Sequence, residues 1–435
     1  MMQDWFKKAK LGIFVHYGIY AVKGVSESWS FHNGGISYED YMAQKEGFTA
    51  ANYDPKEWAE LFKEAGARYA VMTTKHHDGF ALWDTDTTSH NAVEESPAGR
   101  DLIAPYTEAM REAGLKVGLY YSLSDWSRED YRSIYRDDVT DDRRAEQNEY
   151  ETPAGGPERP EDWQKHLEFN NAMMKELMTR YGTIDLLWFD GDWERSAEQW
   201  KMKEFRDYLH ELNPEVVLNS RMNGYGDYAT PELGIPMLPP EGPWEFCIPI
   251  GGSWGWMDGS RFKNYWKSSN QIIRMFCDVL TFGGNMLLDV GPQEDGTIPE
   301  EAVSVLKDLG TWIRTHEEAV YETGRGLDYW FFLGGSTLSE DKETLYLFVY
   351  DTPKESITLK GIHNKLEKIS VLHSGEELSY RRIGSAPWNG IPGTAWINLN
   401  EKQLYQGEGP TVLKVELDGP ISLYYGQGSA ITFNE

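Results

Sequence analysis

The fold class that this 435-residue sequence predicts is α/β: a (β/α)8-like, TIM-type barrel followed by a C-terminal antiparallel β-sandwich. Three observations predict it. Short apolar runs alternate with longer amphipathic ones over the first three quarters of the chain, as parallel βα units do. Seven such strand-like runs fall within about 320 residues, more than an ordinary doubly wound half-domain needs. After "ETGRG" (322–326) the helical pattern stops and short alternating segments between turn residues take over. These observations set a barrel over 1–325 and a sandwich over 326–435.

Taken in order, "LGIFVHYG" (11–18) reads as a buried strand. "PKEWAELFKEAGA" (55–67) has helical spacing and a glycine at its end, and "RYAVMTTKHHDGF" (68–80) follows as a strand. "DLIAPYTEAMREAGL" (101–115) is the next helix and "KVGLYYSLSDW" (116–126) the next strand. Helices near 162–181 and 197–212 precede the strands "IDLLWFDG" (184–191) and "EVVLNSR" (215–221). "WEFCIPI" (244–250) is the sixth strand candidate. A helix near 261–283 leads to "NMLLDVG" (285–291), and "PEEAVSVLKDLGTWIRTH" (299–316) is the last clear helix. The strands are near-continuous in apolar residues, as parallel strands covered on both faces should be. The sandwich segments are "TLYLFVY" (344–350), "SITLK" (356–360), "KISVLH" (368–373), "TVLKVEL" (411–417) and "ISLYYG" (421–426). Residues 127–160, rich in Arg, Asp and Glu, read as a long βα loop or an insertion over the barrel mouth.

Composition narrows the function classes. With Lys+Arg 42 against Asp+Glu 70, the net charge of −28 repels phosphate backbones and anionic lipids, so neither nucleic acid nor membrane is an expected partner. Trp 17, Tyr 25 and Phe 17 make 14% of the chain aromatic. Flat rings suit the faces of sugars, although most will be core. Two cysteines, Cys247 and Cys277, imply no disulfide framework. Neither an N-terminal signal pattern nor a membrane-length apolar run is visible. The expectation is a cytoplasmic protein, although a chain whose signal had been removed would read the same; homo-oligomerisation is compatible with it.

Parallel barrels carry their chemistry at the C-terminal ends of the strands, whereas polar groups at the N-terminal ends are more often structural. By that rule the candidates are His16, His76 and His77 with Asp78, Tyr120 or Tyr121, Asp125, Asp190 and Asp192, and Asn219 with Arg221. Glu245 opens the sixth strand candidate, and Trp254 and Trp256 lie in "GGSWGW" beyond it. Two chemistries fit this set: glycoside hydrolysis by paired carboxyl groups, and metal-assisted hydrolysis. Adjacent histidines on a strand face opposite ways and no HxH or HExxH occurs, which disfavours the metal reading; no metal and no cofactor is expected.

"KLGIFVHYGIY", "TTKHHDGFALWD", "GLYYSLSDW", "LLWFDGDW", "NSR", "WEFC" with "SWGW", and "GGNMLLDVGPQEDG", in that order over about residues 5–320, resemble the retaining α-L-fucosidases of glycoside hydrolase family 29. The resemblance implies a barrel-plus-sandwich enzyme that releases L-fucose from fucosylated oligosaccharides or glycoconjugates by double displacement. It makes Asp190 of "WFDG" the nucleophile, and strand geometry agrees: Trp188 and Asp190 share a face, and Gly191 releases the backbone just afterwards. Asp192, past the glycine, reads as a loop residue. Family members place the acid/base at more than one motif. Glu245 of "PWEFC" matches one placement and Glu232 of "YATPE" the other; Glu245 is preferred because it begins a strand-like run beside the Trp-rich loop.

The resemblance also implies fucose contacts from His16, His76, His77, Tyr120, Trp188, Arg221 and Trp254. Glu27 and Trp29 of "SESWS" complete the substrate set, although many members have Glu and Trp adjacent. Two alternatives stand beside this reading. One is a glycosidase acting on a galacto-configured relative of fucose. The other is a non-catalytic fucose-binding protein, which would lack one of the carboxyl groups.

Overall fold

The computed structural model describes residues 2–131, 160–259 and 265–429. The segment expected to overhang the barrel, 127–160, lies outside the described residues except at its two ends. The chain divides into two compact units, Met1–Lys267 with Met286–Leu306, and Ser268–Asn285 with Lys307–Glu435.

The first unit is built on one curled sheet. Its strands are β1 (Leu11–Val15), β2 (Tyr69–Lys75), β3 (Lys116–Ser122), β4 (Leu186–Asp190), β5 (Val217–Leu218), β6 (Glu245–Pro249) and β7 (Asn285–Val290). Their order is β5-β4-β3-β2-β1-β7-β6. The five pairings from β5 round to β7 are all parallel. The segment after β5 bridges the remaining gap: Asn219 pairs with Tyr228, Ala229 with Trp244 and Glu232 with Cys247, each in parallel sense. Residues 228–233 therefore stand where an eighth strand would. Backbone bonds fix their height, with Cys247 N–H donating to the Pro231 carbonyl at 3.1 Å and Leu233 N–H to the Cys247 carbonyl at 3.1 Å.

Helices link the strands where the amphipathic pattern expects them, including Pro55–Glu64, Ile103–Glu112, Pro160–Arg180 and Met202–Leu212. Asp54 starts the first of these by accepting from Lys56 N–H and Glu57 N–H at 2.9 and 3.3 Å, with Pro55 at the first turn. Side chains alternate across each strand, so Phe14, Val71, Tyr120 and Trp188 fill the barrel interior. At the N-terminal ends of the strands the short helix Asp4–Ala9 supplies Phe6, whose ring lies 4.3 Å from Tyr228 and 5.9 Å from Tyr69. Gly12 makes room for Tyr69, because a Cβ there would run into the Tyr69 ring.

The second unit holds two antiparallel sheets. The larger has the order β12-β15-β10-β9-β8 and the smaller β11-β14-β13. Their strands are β8 (Thr323–Arg325), β9 (Gly335–Ser339), β10 (Thr344–Val349), β11 (Ser356–Lys360), β12 (Leu366–Val371), β13 (Tyr380–Ile383), β14 (Thr394–Asn398) and β15 (Thr411–Leu417). Leu345, Leu347, Leu413 and Val415 from the larger sheet share one core with Leu359 and Ile397 from the smaller. The helix Ser269–Thr281 joins this unit, with Thr281 Oγ1 accepting from Ser336 N–H at 2.9 Å. "ISLYYG", expected as a strand, makes only one isolated bridge, Leu423 to Ile362. Both cysteines are buried free thiols. Among the described residues no helix is long and apolar enough to cross a membrane.

Candidate active site

Asp190 is the last residue of β4 and its side chain points into the barrel mouth. Its Oδ1 accepts from Arg221 Nη1 at 2.9 Å and its Oδ2 from the Tyr120 hydroxyl at 3.0 Å. Gly191 then turns the chain at φ +79°, and any larger residue there would collide with Ser124. Arg221 reaches a second carboxyl group with its other terminal nitrogen, donating to Glu232 Oε2. Burial works against the Arg221 charge, but Asp190 and Glu232 outweigh it and hold its pKa up. One guanidinium thus clamps two carboxyl groups of different setting: Asp190 is 13% exposed at its side chain and Glu232 41%.

These groups open on a cavity of about 310 Å³ lined by Phe14, His16, Trp29, His76, Tyr120, Trp188, Asp190, Trp193, Arg221, Glu232 and Trp254. That volume lies at the small end of ligand sites, which run from about 300 to 1,000 Å³. The cavity joins nine of the residues singled out in the sequence. His16 Nδ1 lies 2.7 Å from Asp289 Oδ1, both groups buried. Burial pushes the imidazole down and the carboxyl up, which disfavours the charged form of each. His76 stacks on Tyr120 with centroids 5.4 Å apart and 7° between planes, and its Nδ1 meets the Ser28 hydroxyl. Burial also holds His76 well below the usual imidazole range.

His77 does not line the cavity but stands directly behind it. The register shift between Thr73 and Lys75, together with the end of β2 at Lys75, lets the adjacent histidines both turn toward Asp190. The Ser122 hydroxyl donates to the Ser124 carbonyl at 2.7 Å, so it accepts from His77 Nδ1 at 2.6 Å. That fixes the tautomer and leaves His77 Nε2 a buried acceptor without a partner, 3.6 Å from Asp190 Oδ2. A hydroxyl donor of a ligand would satisfy it. Tyr120, not Tyr121, is the tyrosine at the site; Tyr121 bonds Asn170 at 2.7 Å.

Two further residues of the expected set lie off the cavity wall. Glu245, the preferred acid, is 0% exposed. It lies at the N-terminal end of β6, behind Trp188, where its carboxyl group accepts from Tyr69 Oη, from Trp188 Nε1 at 3.0 Å and from Tyr228 Oη at 3.4 Å. Burial pushes it up to about 7 against the opposing pull of those three donors. Glu232, the other candidate, lines the cavity wall. Glu27, expected to touch substrate, is also buried away from the cavity; it accepts from Gly255 N–H and from the Ser253 hydroxyl at 3.0 Å, anchoring the loop that carries Trp254.

Asp192 is held in its loop by Asn223 N–H at 2.7 Å and Asn223 Nδ2 at 3.1 Å, two residues past Arg221. Phe14 and Trp193 are lining residues that the sequence reading left out. Phe14 sits two positions before His16 on the same strand face, a period-two signal that was available. Trp193 follows the turn at Gly191 and stacks on Trp29 with centroids 6.0 Å apart. Among the described residues no group of three or more His, Cys, Asp and Glu is placed to hold a metal ion.

The arrangement brings two carboxyl groups of different exposure, held by one guanidinium, to a cavity walled by aromatic rings and imidazoles. Comparison with known proteins points the same way. A sequence model described as Alpha-L-fucosidase matches residues 1–318. The tissue alpha-L-fucosidase of Macaca fascicularis is 30% identical over 348 residues, spanning 74% of this chain and 69% of that one. Among solved structures, alpha-L-fucosidase isoenzyme 1 from Paenibacillus thiaminolyticus aligns with a TM-score of 0.82 at 33% identity, over 95% of this chain and 98% of that one. A Bacteroides thetaiotaomicron alpha-L-fucosidase of family GH29, solved as a trapped covalent intermediate with 2-fluoro-fucosyl fluoride, aligns with a TM-score of 0.80 at 26% identity over 95% of each chain.

Proposed function

This chain belongs to the alpha-L-fucosidase family of retaining glycoside hydrolases, and from that premise we propose that Asp190 is its nucleophile and Glu232 its acid/base. The enzyme releases L-fucose from fucosylated substrates by double displacement. The single observation that carries the residue assignment is Arg221, whose two terminal nitrogens hold Asp190 and Glu232 at one cavity.

In the first step the Asp190 carboxylate attacks the anomeric carbon while Glu232 gives its proton to the departing glycosidic oxygen. The aglycone leaves with that proton and fucose remains esterified to Asp190. In the second step Glu232, now a carboxylate, takes a proton from water as the water attacks the same carbon; Asp190 leaves and the anomeric configuration is retained. Arg221 and Tyr120 fix the direction of Asp190, so little orientational freedom is lost on reaction. His16 and His76, which line the cavity, offer imidazole nitrogens to the sugar hydroxyls, and His77 backs them from behind the wall. Phe14, Trp188 and Trp254 form an apolar wall for the C6 methyl group.

Aryl α-L-fucosides with good and poor leaving groups test the pair of roles. Glu232→Ala should slow poor leaving groups far more than activated ones, and equal losses for both would remove Glu232 from the acid role. Asp190→Ala should lose roughly four or more orders of magnitude in kcat, with azide restoring turnover to an inverted fucosyl azide.

A further inference from the structure

Glu245 is a buried carboxyl group that the mechanism above does not use. Three donors converge on it, Tyr69, Trp188 and Tyr228, and none of the three is a cation. Its contact with Trp188 reaches the reacting centre through two stacks. Tyr120 lies on the Trp188 indole, with centroids 5.7 Å apart and 19° between planes. The Arg221 guanidinium lies over the same indole at 4.9 Å. Tyr120 and Arg221 are the two groups that donate to Asp190. On its other side Glu245 is tied to the acid/base segment: its own N–H donates to the Ala229 carbonyl at 2.9 Å, and Tyr228 is that segment's first bridged residue.

We propose that Glu245 is a positioning residue: by holding the Trp188 indole it sets the plate on which Arg221 and Tyr120 rest, in register with the segment that carries Glu232. The proposal rests on the assignment of Asp190 and Glu232 above. It gives a role to a carboxyl group set in an aromatic interior, where its burial is costly. A side chain with fixed acceptors locks the rotation of a Trp ring, which apolar packing alone does not do.

The test is a double-mutant cycle on Glu245→Ala and Trp188→Phe, with Glu245→Gln and Glu232→Ala beside it, on aryl fucosides of good and poor leaving group. Of the three hydrogen bonds that Glu245→Ala removes, loss of the one from Trp188 predicts that kcat falls about 10- to 100-fold, equally for both leaving groups. Glu245→Gln should recover most of that loss, because its amide oxygen still accepts from Trp188 while its nitrogen donates to Tyr69. The double variant should be no slower than the slower single one, since each change breaks the same link.

Multiplying losses, or a Glu245→Ala loss confined to poor leaving groups, would overturn the proposal. Should Glu245→Ala fold poorly, Trp188→Phe and Glu245→Gln decide it: a Gln variant as slow as the Phe variant contradicts the positioning role. Failure of the acid assignment would show separately, as an absent leaving-group dependence in Glu232→Ala with the Glu245–Trp188 coupling intact.

Discussion

Replacing Glu245 with glutamine should change how stability depends on pH, by an amount the site itself sets. Burial pushes this carboxyl group from an ordinary 4.5 up to about 7. A carboxyl whose folded value is raised binds its proton more tightly when folded, so its contribution is complete below the unfolded value and is lost as pH rises through about 7. At 1.36 kcal/mol per unit, the wild type should lose on the order of 2–3 kcal/mol relative to Glu245→Gln between pH 5 and pH 8. Every other titrating group cancels in the difference. Urea unfolding of both proteins at four pH values across that window reads it directly. A difference that stays constant from pH 5 to 8 would refute the reasoning, because it would place the titration of Glu245 in the range of a solvated acid.

Other consequences follow from the same geometry. Arg221→Ala removes two charge-assisted bonds of about 1.5–3 kcal/mol each, so kcat/KM should fall by roughly 100-fold or more; a loss under tenfold would contradict the clamp. Lys75 and Asp125 form a fully buried ion pair at 3.3 Å beneath the histidine strand. Lys75→Met strands the Asp125 charge, and thermal unfolding should show a loss of about 3–5 kcal/mol. A variant as stable as the wild type would mean that Asp125 finds another partner.

Much of the site was legible because strand physics is simple. An apolar run that ends in a carboxylate, "LLWFD", is a buried strand opening at a mouth, and the period of two puts Trp188 and Asp190 on one face. Gly191 marked where that control stops, which separated Asp190 from Asp192. Glu232 was harder. It rides on residues 228–233, which pair through isolated bridges rather than a regular ladder, include a proline and show no apolar alternation.

Glu245 opens β6, and polar groups at strand N-termini are more often structural, whereas the strand-like context beside tryptophans pointed the other way. In the sandwich, β9 and β13 escaped the sequence reading because "GSTLS" and "YRRI" are small, polar or charged, and cross-strand pairing supplies what propensity does not. His16 was visible but its partner Asp289 was not, since their contact joins positions 273 residues apart.

In the proposed mechanism Asp190 forms the covalent bond to fucose. Incubation with 2-fluoro-fucosyl fluoride, followed by proteolysis and mass spectrometry of the peptide containing residues 186–193, tests it most directly. A single 2-fluoro-fucosyl adduct on Asp190, absent in Asp190→Asn, is the expected result. An adduct on Asp192, or turnover-dependent inactivation with no adduct on this peptide, would contradict it.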